Sequence, residues 1–232
     1  MEHRKKTIFA LALGIAFSLL FLLLIVLLRT VDVAAIGPGG TKVGLSRLNG
    51  AFRNWLGYGE GFNNALYQIA KWFGLLALAL VACLALLGIW QWVRRKSIWK
   101  VDKLLLATGV LYLVVGALYL FFELVVVNCR PVLMAGETLP EASFPSSHTV
   151  LACTVFGSAF WLIAKYLRGV WRILSSIACG TFLAAIVLGR AFSGVHWLTD
   201  ILGGLFLSAA LLCWFWFANL RLSEKEISKY VA

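Results

Sequence analysis

The chain has 232 residues, 62% of them hydrophobic and 13% charged, with a mean hydropathy of +0.91. A water-soluble domain of this length cannot hide so much apolar surface, so the composition excludes that class and points to a membrane protein. The formal charge of +11 would suit nucleic acid only if it were gathered into one patch, and its placement along the chain argues otherwise.

Crossing a hydrocarbon core takes about 20 apolar residues. Six stretches are long enough: residues 7–28, 65–93, 104–127, 147–166, 173–192 and 197–217. The first lies between "HRKK" and "VAA", as a signal peptide would. Its apolar run exceeds the roughly 7–15 residues of a signal h-region, so a retained helix is expected. A glycine-rich segment follows ("GPGG", "GYGEG") and encloses "LSRLNGAFRNWL". There Leu45, Leu48, Phe52, Trp55 and Leu56 recur at helical spacing opposite Arg47, Asn49, Arg53 and Asn54. That pattern fits a short helix lying in the headgroup layer, or one that lids the bundle.

The second and third spans are joined by a basic turn. The third leads through "CRP" and "AGETLPEASFPSSH" into the fourth, and only "SGVH" separates the fifth from the sixth. With no internal repeat and no low-complexity tract, residues 1–232 are expected to form one all-α, six-span bundle.

Fourteen of the 21 lysines and arginines fall in four clusters. These are Arg4, Lys5 and Lys6; Arg94, Arg95, Lys96, Lys100 and Lys103; Lys165, Arg168 and Arg172; and Arg221, Lys225 and Lys229. All four lie at the same end of a six-span arrangement. The positive-inside rule puts that end, with both termini, in the cytoplasm of a multi-pass cell-membrane protein. The charge is thus a topology signal, and no nucleic-acid partner is expected. At the other end are Arg29, Lys42, Arg47, Arg53, Arg130 and Arg190, while Lys71 stands inside a span.

The five cysteines (Cys83, Cys129, Cys153, Cys179, Cys213) are odd in number and form no CxxC. They imply no disulfide framework. No zinc-like ligand spacing appears, so neither metal nor cofactor is expected.

Arg130, His148, Arg190, His196 and Asp200 are far apart in sequence yet share one end of the bundle. "PSSHT" starts a helix: Pro145 closes the loop, Ser146 can cap, and Ser147 and His148 fall in the first turn. Free N–H groups and the dipole make such a start an anion site. In "HWLTD", His196 and Asp200 are four apart on one helical face. Asp200 can then hold one ring nitrogen and leave the other free, as a catalytic base or nucleophile requires, although such pairs also serve structure. A single arginine at a span end commonly snorkels. Two beside a capped helix start and an oriented histidine form a phosphate clamp.

These pieces, in this order, resemble the type 2 phosphatidic acid phosphatase (PAP2) superfamily. Its pattern is a lysine, six residues and "RP"; then "PSGH"; then "SR", five residues, a histidine, three residues and an aspartate. Here the parts are Arg130–Pro131, "PSSH" at 145–148, and "GR" at 189–190 followed by His196 and Asp200. The sequence departs from the pattern at three places: "PSSH" for "PSGH", "GR" for "SR", and Glu123 where the family has lysine. Positions seven apart share a face of a continuing helix, so Glu123 is expected to pair with Arg130 or Arg190.

The resemblance implies metal-independent hydrolysis of a lipid phosphate or pyrophosphate through a phosphohistidine. It gives His196 the role of nucleophile, Asp200 that of its orienting partner and His148 that of general acid. Arg130, Arg190 and Ser147 would bind the phosphate, with Glu123 as a modulator. Undecaprenyl pyrophosphate, phosphatidic acid and phosphatidylglycerol phosphate are the substrates implied. Other readings are a lipid phosphotransferase of the same superfamily and a non-catalytic phospholipid-binding or transport protein.

Overall fold

The computed structural model describes residues 2–134 and 136–231, with side chains through residue 224. Lys225 and Lys229 of the last basic cluster therefore have side chains outside the described residues. Seven α-helices make up most of the described chain: α1 (Glu2–Thr30), α2 (Ser46–Leu56), α3 (Asn64–Arg95), α4 (Lys103–Leu124), α5 (Ser147–Tyr166), α6 (Gly169–Ser193) and α7 (Leu198–Val231). All but α2 are long and apolar enough to cross a membrane. The chain is a multi-pass membrane protein with an all-α fold, as the hydropathy pattern predicts.

Helix α5 is the most buried of the six spans and forms the axis of the bundle. One apolar cluster joins α1, α4 and α7 around Phe21, Phe122 and Phe144, with ring centroids 5.8–6.1 Å apart. A second joins α3, α5 and α6 through Ala77, Val155, Phe156 and Ile186. Helix α1 packs along α7: Trp214 donates its indole N–H to the Ser18 hydroxyl at 3.1 Å, and Gly14 leaves room for that indole. The first apolar stretch is thus an integral wall of the bundle.

Two end caps follow from local sequence. The Asn63 side chain accepts from the Leu66 N–H at the start of α3, and Asp102 accepts from the Leu104 N–H at the start of α4. Asp102 also receives Lys165 Nζ at 2.6 Å and the Tyr166 hydroxyl at 2.6 Å, which ties α4 to the end of α5.

Helix α4 stops at Leu124, three residues short of the expected Val127. "VVVN" is apolar enough to read as span. Its β-branched residues nonetheless leave the helix, with Val125 at φ −102°, ψ 80°. The chain then returns on itself. The Arg130 N–H donates to the Glu141 carbonyl at 2.9 Å and the Ser143 N–H to that of Asn128 at 2.9 Å.

Candidate active site

Four segments meet at the end of the bundle that carries the 125–146 loop. The segment from 193 to 200 is held from several sides. Arg53 of α2 donates to the Gly194 carbonyl, and the Asn63 N–H donates to that of Ser193 at 2.8 Å. Asn49, fully buried, donates to the Thr199 hydroxyl at 3.0 Å and accepts from the Thr199 N–H at 3.2 Å. The Trp197 indole N–H reaches the Cys129 carbonyl at 2.8 Å. Gly194, at φ +80°, ends α6 in the left-handed region that glycine tolerates.

This mooring explains α2. Its buried residues are Ser46 and Asn49, whereas Leu48 is 46% and Trp55 69% exposed. Asn49 and Arg53 turn inward to grip the loop, Arg47 and Asn54 stay exposed beside Leu48 and Trp55, and Leu45, Phe52 and Leu56 are partly buried. Of the two readings of "LSRLNGAFRNWL", these contacts fit a helix that lids the end of the bundle.

Within the segment, His196 and Asp200 are buried. His196 Nδ1 lies 3.5 Å from Asp200 Oδ2, the same oxygen that accepts from the Trp197 N–H at 2.9 Å. The spacing is longer than a formed hydrogen bond. Catalytic contacts of this kind commonly tighten only around substrate. Since Nδ1 faces the carboxylate, Nε2 is the nitrogen left for chemistry. Burial pushes the imidazole below its ordinary 6.5, against an upward pull from Asp200. The ring is thereby kept neutral and nucleophilic near pH 7.

Ser146 stands at the cap position of α5, but its hydroxyl accepts from the Thr149 hydroxyl at 3.0 Å and makes no side-chain cap. The Ser146 N–H is bonded to the Asp200 carbonyl. His148, in the first turn, packs on Gly74 of α3, where an added Cβ would come 3.1 Å from His148 Cδ2. It lies within electrostatic reach of Arg190, His196, Arg130 and Lys71.

Arg190 is 1% exposed and has no carboxylate partner among the described residues. Its guanidinium sits 4.8 Å over the Tyr67 ring, and Nε and Nη2 have no protein acceptor. A buried guanidinium is costly unless paired, and one held by a ring face with Nε and Nη2 unpartnered has donors free for an anion. Arg130 Nη2 is engaged by Glu141 Oε2 at 2.8 Å, while its Nε is unpartnered.

All six expected positions, His148, His196, Asp200, Arg130, Arg190 and Ser147, thus converge on one end of the bundle. Ser147, His148, His196, Arg130 and Glu123 line a common cavity of about 490 Å³. Glu123 does not fulfil the pairing expected of it. Among the described residues it makes no ion pair with either arginine, and the partner of Arg130 is Glu141. The reason is the early end of α4: Arg130 is no longer two turns along the face that carries Glu123. Glu123 instead stands beside Tyr119, one turn back.

Sequence reasoning missed Tyr67, Gly74 and Glu141, and gave Asn49 and Arg53 no role beyond the polar face of an amphipathic helix. The available signal is weak: two amides and two arginines on one helical face, and a tyrosine and a glycine flanking a lone intramembrane lysine.

A family model described as the PAP2 superfamily matches residues 100–223, more than half of the chain. The chain belongs to the PAP2 superfamily. Glucose-6-phosphatase 3 of Mus musculus is 35% identical over 104 residues, which cover 40% of this PAP2 chain and 28% of that protein. The likeness therefore spans under a third of the mouse relative. In fold, this PAP2 protein is similar to a transmembrane PAP2 type phosphatidylglycerolphosphate phosphatase from Bacillus subtilis. That crystal structure superimposes with a TM-score of 0.59 at 20% identity, over 93% of this chain and 97% of the other.

Proposed function

We propose that this protein is a metal-independent lipid phosphatase that hydrolyses a lipid phosphate or pyrophosphate of the outer leaflet through a phosphohistidine. The observation that carries the reading is one cavity with two characters. One end is lined by Arg130, Ser147, His148 and His196, and the rest by apolar groups such as Leu75, Leu78, Val115, Gly116 and Val155. A charged headgroup with an attached hydrocarbon tail matches both. Undecaprenyl pyrophosphate, phosphatidic acid and phosphatidylglycerol phosphate all have this form.

In the first step, His196 Nε2 attacks phosphorus in line and the bond from phosphorus to the leaving oxygen breaks. His148 donates its proton to that oxygen. Asp200 offsets the positive charge that develops on the ring. Arg190, the free N–H of Arg130, Ser147 and the N–H groups opening α5 stabilise the equatorial oxygens. In the second step His148 takes a proton from water, the water oxygen attacks phosphorus and the phosphorus–nitrogen bond breaks. Inorganic phosphate leaves, and both histidines return to their starting states.

The site is read as facing outward, with both termini in the cytoplasm, because the basic clusters share the opposite end. Single cysteines in residues 94–103 and 128–146 of a cysteine-free variant should label from opposite sides with an impermeant thiol reagent.

Trapping the intermediate tests the chemistry. Purified protein given a radiolabelled lipid phosphate with a good leaving group should form an acid-labile phosphoenzyme. His196→Ala should abolish it, whereas His148→Ala should still form it, since only leaving-group protonation is lost. Absence of phosphoenzyme from the parent, or its equal loss in both variants, would overturn the assignment.

A further inference from the structure

Helix α3 runs from Asn64 to Arg95, and between its ends it carries a single charge, Lys71. An ammonium within the hydrocarbon depth is costly, and such residues usually face a cavity or a partner. Lys71 is exposed, and among the described residues it makes no ion pair. At about 1.5 Å per residue it lies roughly 10 Å below the start of the helix.

Its direction is fixed by its neighbours. Tyr67, Lys71 and Gly74 fall at positions i, i+4 and i+7 and so share one face. Tyr67 carries the Arg190 guanidinium at 4.8 Å, and Gly74 abuts His148, with an added Cβ 3.1 Å from Cδ2. Lys71 is bracketed between two residues that touch the site. It lines the same cavity as Arg130, Ser147, His148 and His196, and its charge is felt at His148. A lysine that merely snorkelled would run along the lipid-facing side toward the headgroups; this one opens on the cavity.

The local charge balance gives it a task. Glu123 lines the same cavity from α4, and Glu141 occupies one arm of Arg130. These carboxylates, with Glu137 against Glu141, oppose an incoming anion, leaving Arg190 and part of Arg130 to hold it.

We propose that Lys71 is a phosphate-binding residue, its ammonium contacting the anion from the α3 side of the cavity. This rests on the phosphatase reading for the identity of the anion, and it adds a third cation from a helix outside the motif-bearing segments. Lys71 supplies charge without the fixed fork of a guanidinium, so it adapts to a phosphate, a diphosphate or a pentacoordinate centre.

The test uses purified full-length protein in detergent, with orthovanadate as probe and the melting temperature as readout, alongside hydrolysis of a lipid phosphate in mixed micelles. Lys71→Gln should melt at the parent's temperature without ligand, yet bind orthovanadate about tenfold more weakly and lose a similar factor in kcat/KM. Lys71→Arg, which keeps the charge, should retain most of both. Unchanged orthovanadate affinity in Lys71→Gln would overturn the proposal whatever the activity does. If the parent binds orthovanadate in a Lys71-dependent way but hydrolyses no lipid phosphate, the phosphatase reading falls and the binding role stands. If the parent does not bind orthovanadate, both fall.

Discussion

The backbone N–H of Ser146 donates to the carbonyl oxygen of Asp200 at 3.0 Å. A single hydrogen bond thus joins the residue that opens α5 to the first turn of α7. The two histidines belong to these two segments, so their relative position is set at the backbone. Side chains that hold either segment are expected to matter for catalysis even where they touch no substrate.

Asn49 is the first such side chain. It bonds to the Gly44 carbonyl at 2.9 Å and to both the hydroxyl and the N–H of Thr199. Asn49→Ala leaves buried partners unsatisfied, at about 1–3 kcal/mol. For a chain of this size that lowers the melting temperature by about 2–4 °C per kcal/mol. Well below the melting range, kcat should still fall, because the loop bearing His196 has lost one mooring. Melting curves and steady-state kinetics on the same preparation check both.

Gly74 separates stability from activity. Alanine is favoured over glycine in a helix by about 0.5–1 kcal/mol, so Gly74→Ala should not lower the melting temperature. Its methyl would stand 3.1 Å from His148 Cδ2 and displace the proposed general acid. A loss of about tenfold in kcat is expected, and a larger one for Gly74→Val.

Gly116 tests the lipid end of the cavity. It lines the apolar wall, and a Cβ there would meet nothing within 4 Å. Gly116→Trp should fold and fill the cavity. KM for a long-chain lipid phosphate should rise about tenfold, while a short water-soluble phosphate ester should be handled as by the parent. Equal effects on both would place the tail elsewhere.

Glu141 and Glu123 should behave differently. Glu141 pairs with Arg130 at 2.8 Å with side-chain exposures of 44% and 16%. Such a part-exposed pair contributes about 0–1 kcal/mol. Glu141→Gln should thus cost little stability and, by freeing an arm of Arg130, tighten orthovanadate binding. Glu123 is exposed, and Glu123→Gln should shift stability by no more than about 0.5 kcal/mol. Thermal melts with and without orthovanadate distinguish them.

His196 carries a pH signature. Burial holds its folded pKa below the ordinary 6.5, so the unfolded chain binds a proton first as pH falls. The associated stability is fully present above 6.5 and declines as pH drops through that value toward the folded pKa. Between about pH 8 and about pH 5, His196→Gln should therefore lose less melting temperature than the parent.

The six spans and the site's end of the bundle were legible because hydropathy and charge act over long windows. His196 lies in the bend before α7 and not on its face, yet the four-residue spacing still brings Nδ1 within 3.5 Å of Asp200 Oδ2. Glu123 was misread because "VVVNC" continues the apolar run while leaving the helix, a change hydropathy does not register. Tyr67 and Gly74 carry no chemical motif. Their roles exist only where α3 meets Arg190 and His148, and no pattern within α3 announces those neighbours. Asn49 sits on the polar face that the spacing in α2 predicts, but no pattern within α2 shows that its amide turns inward to Thr199.

Adjacent glycines in α7 bear on how this protein can be engineered. A Cβ at Gly203 would collide with the Phe144 ring, and one at Gly204 would come 2.9 Å from Thr149 Cβ. Replacing helical glycines by alanine is ordinarily a dependable way to stiffen a protein. In this α7 the same change would wedge α5 away and strain the bond between Ser146 and Asp200. Thermostabilising campaigns on this protein should start at Gly180, which has open space around it, and leave residues 203 and 204 without side chains.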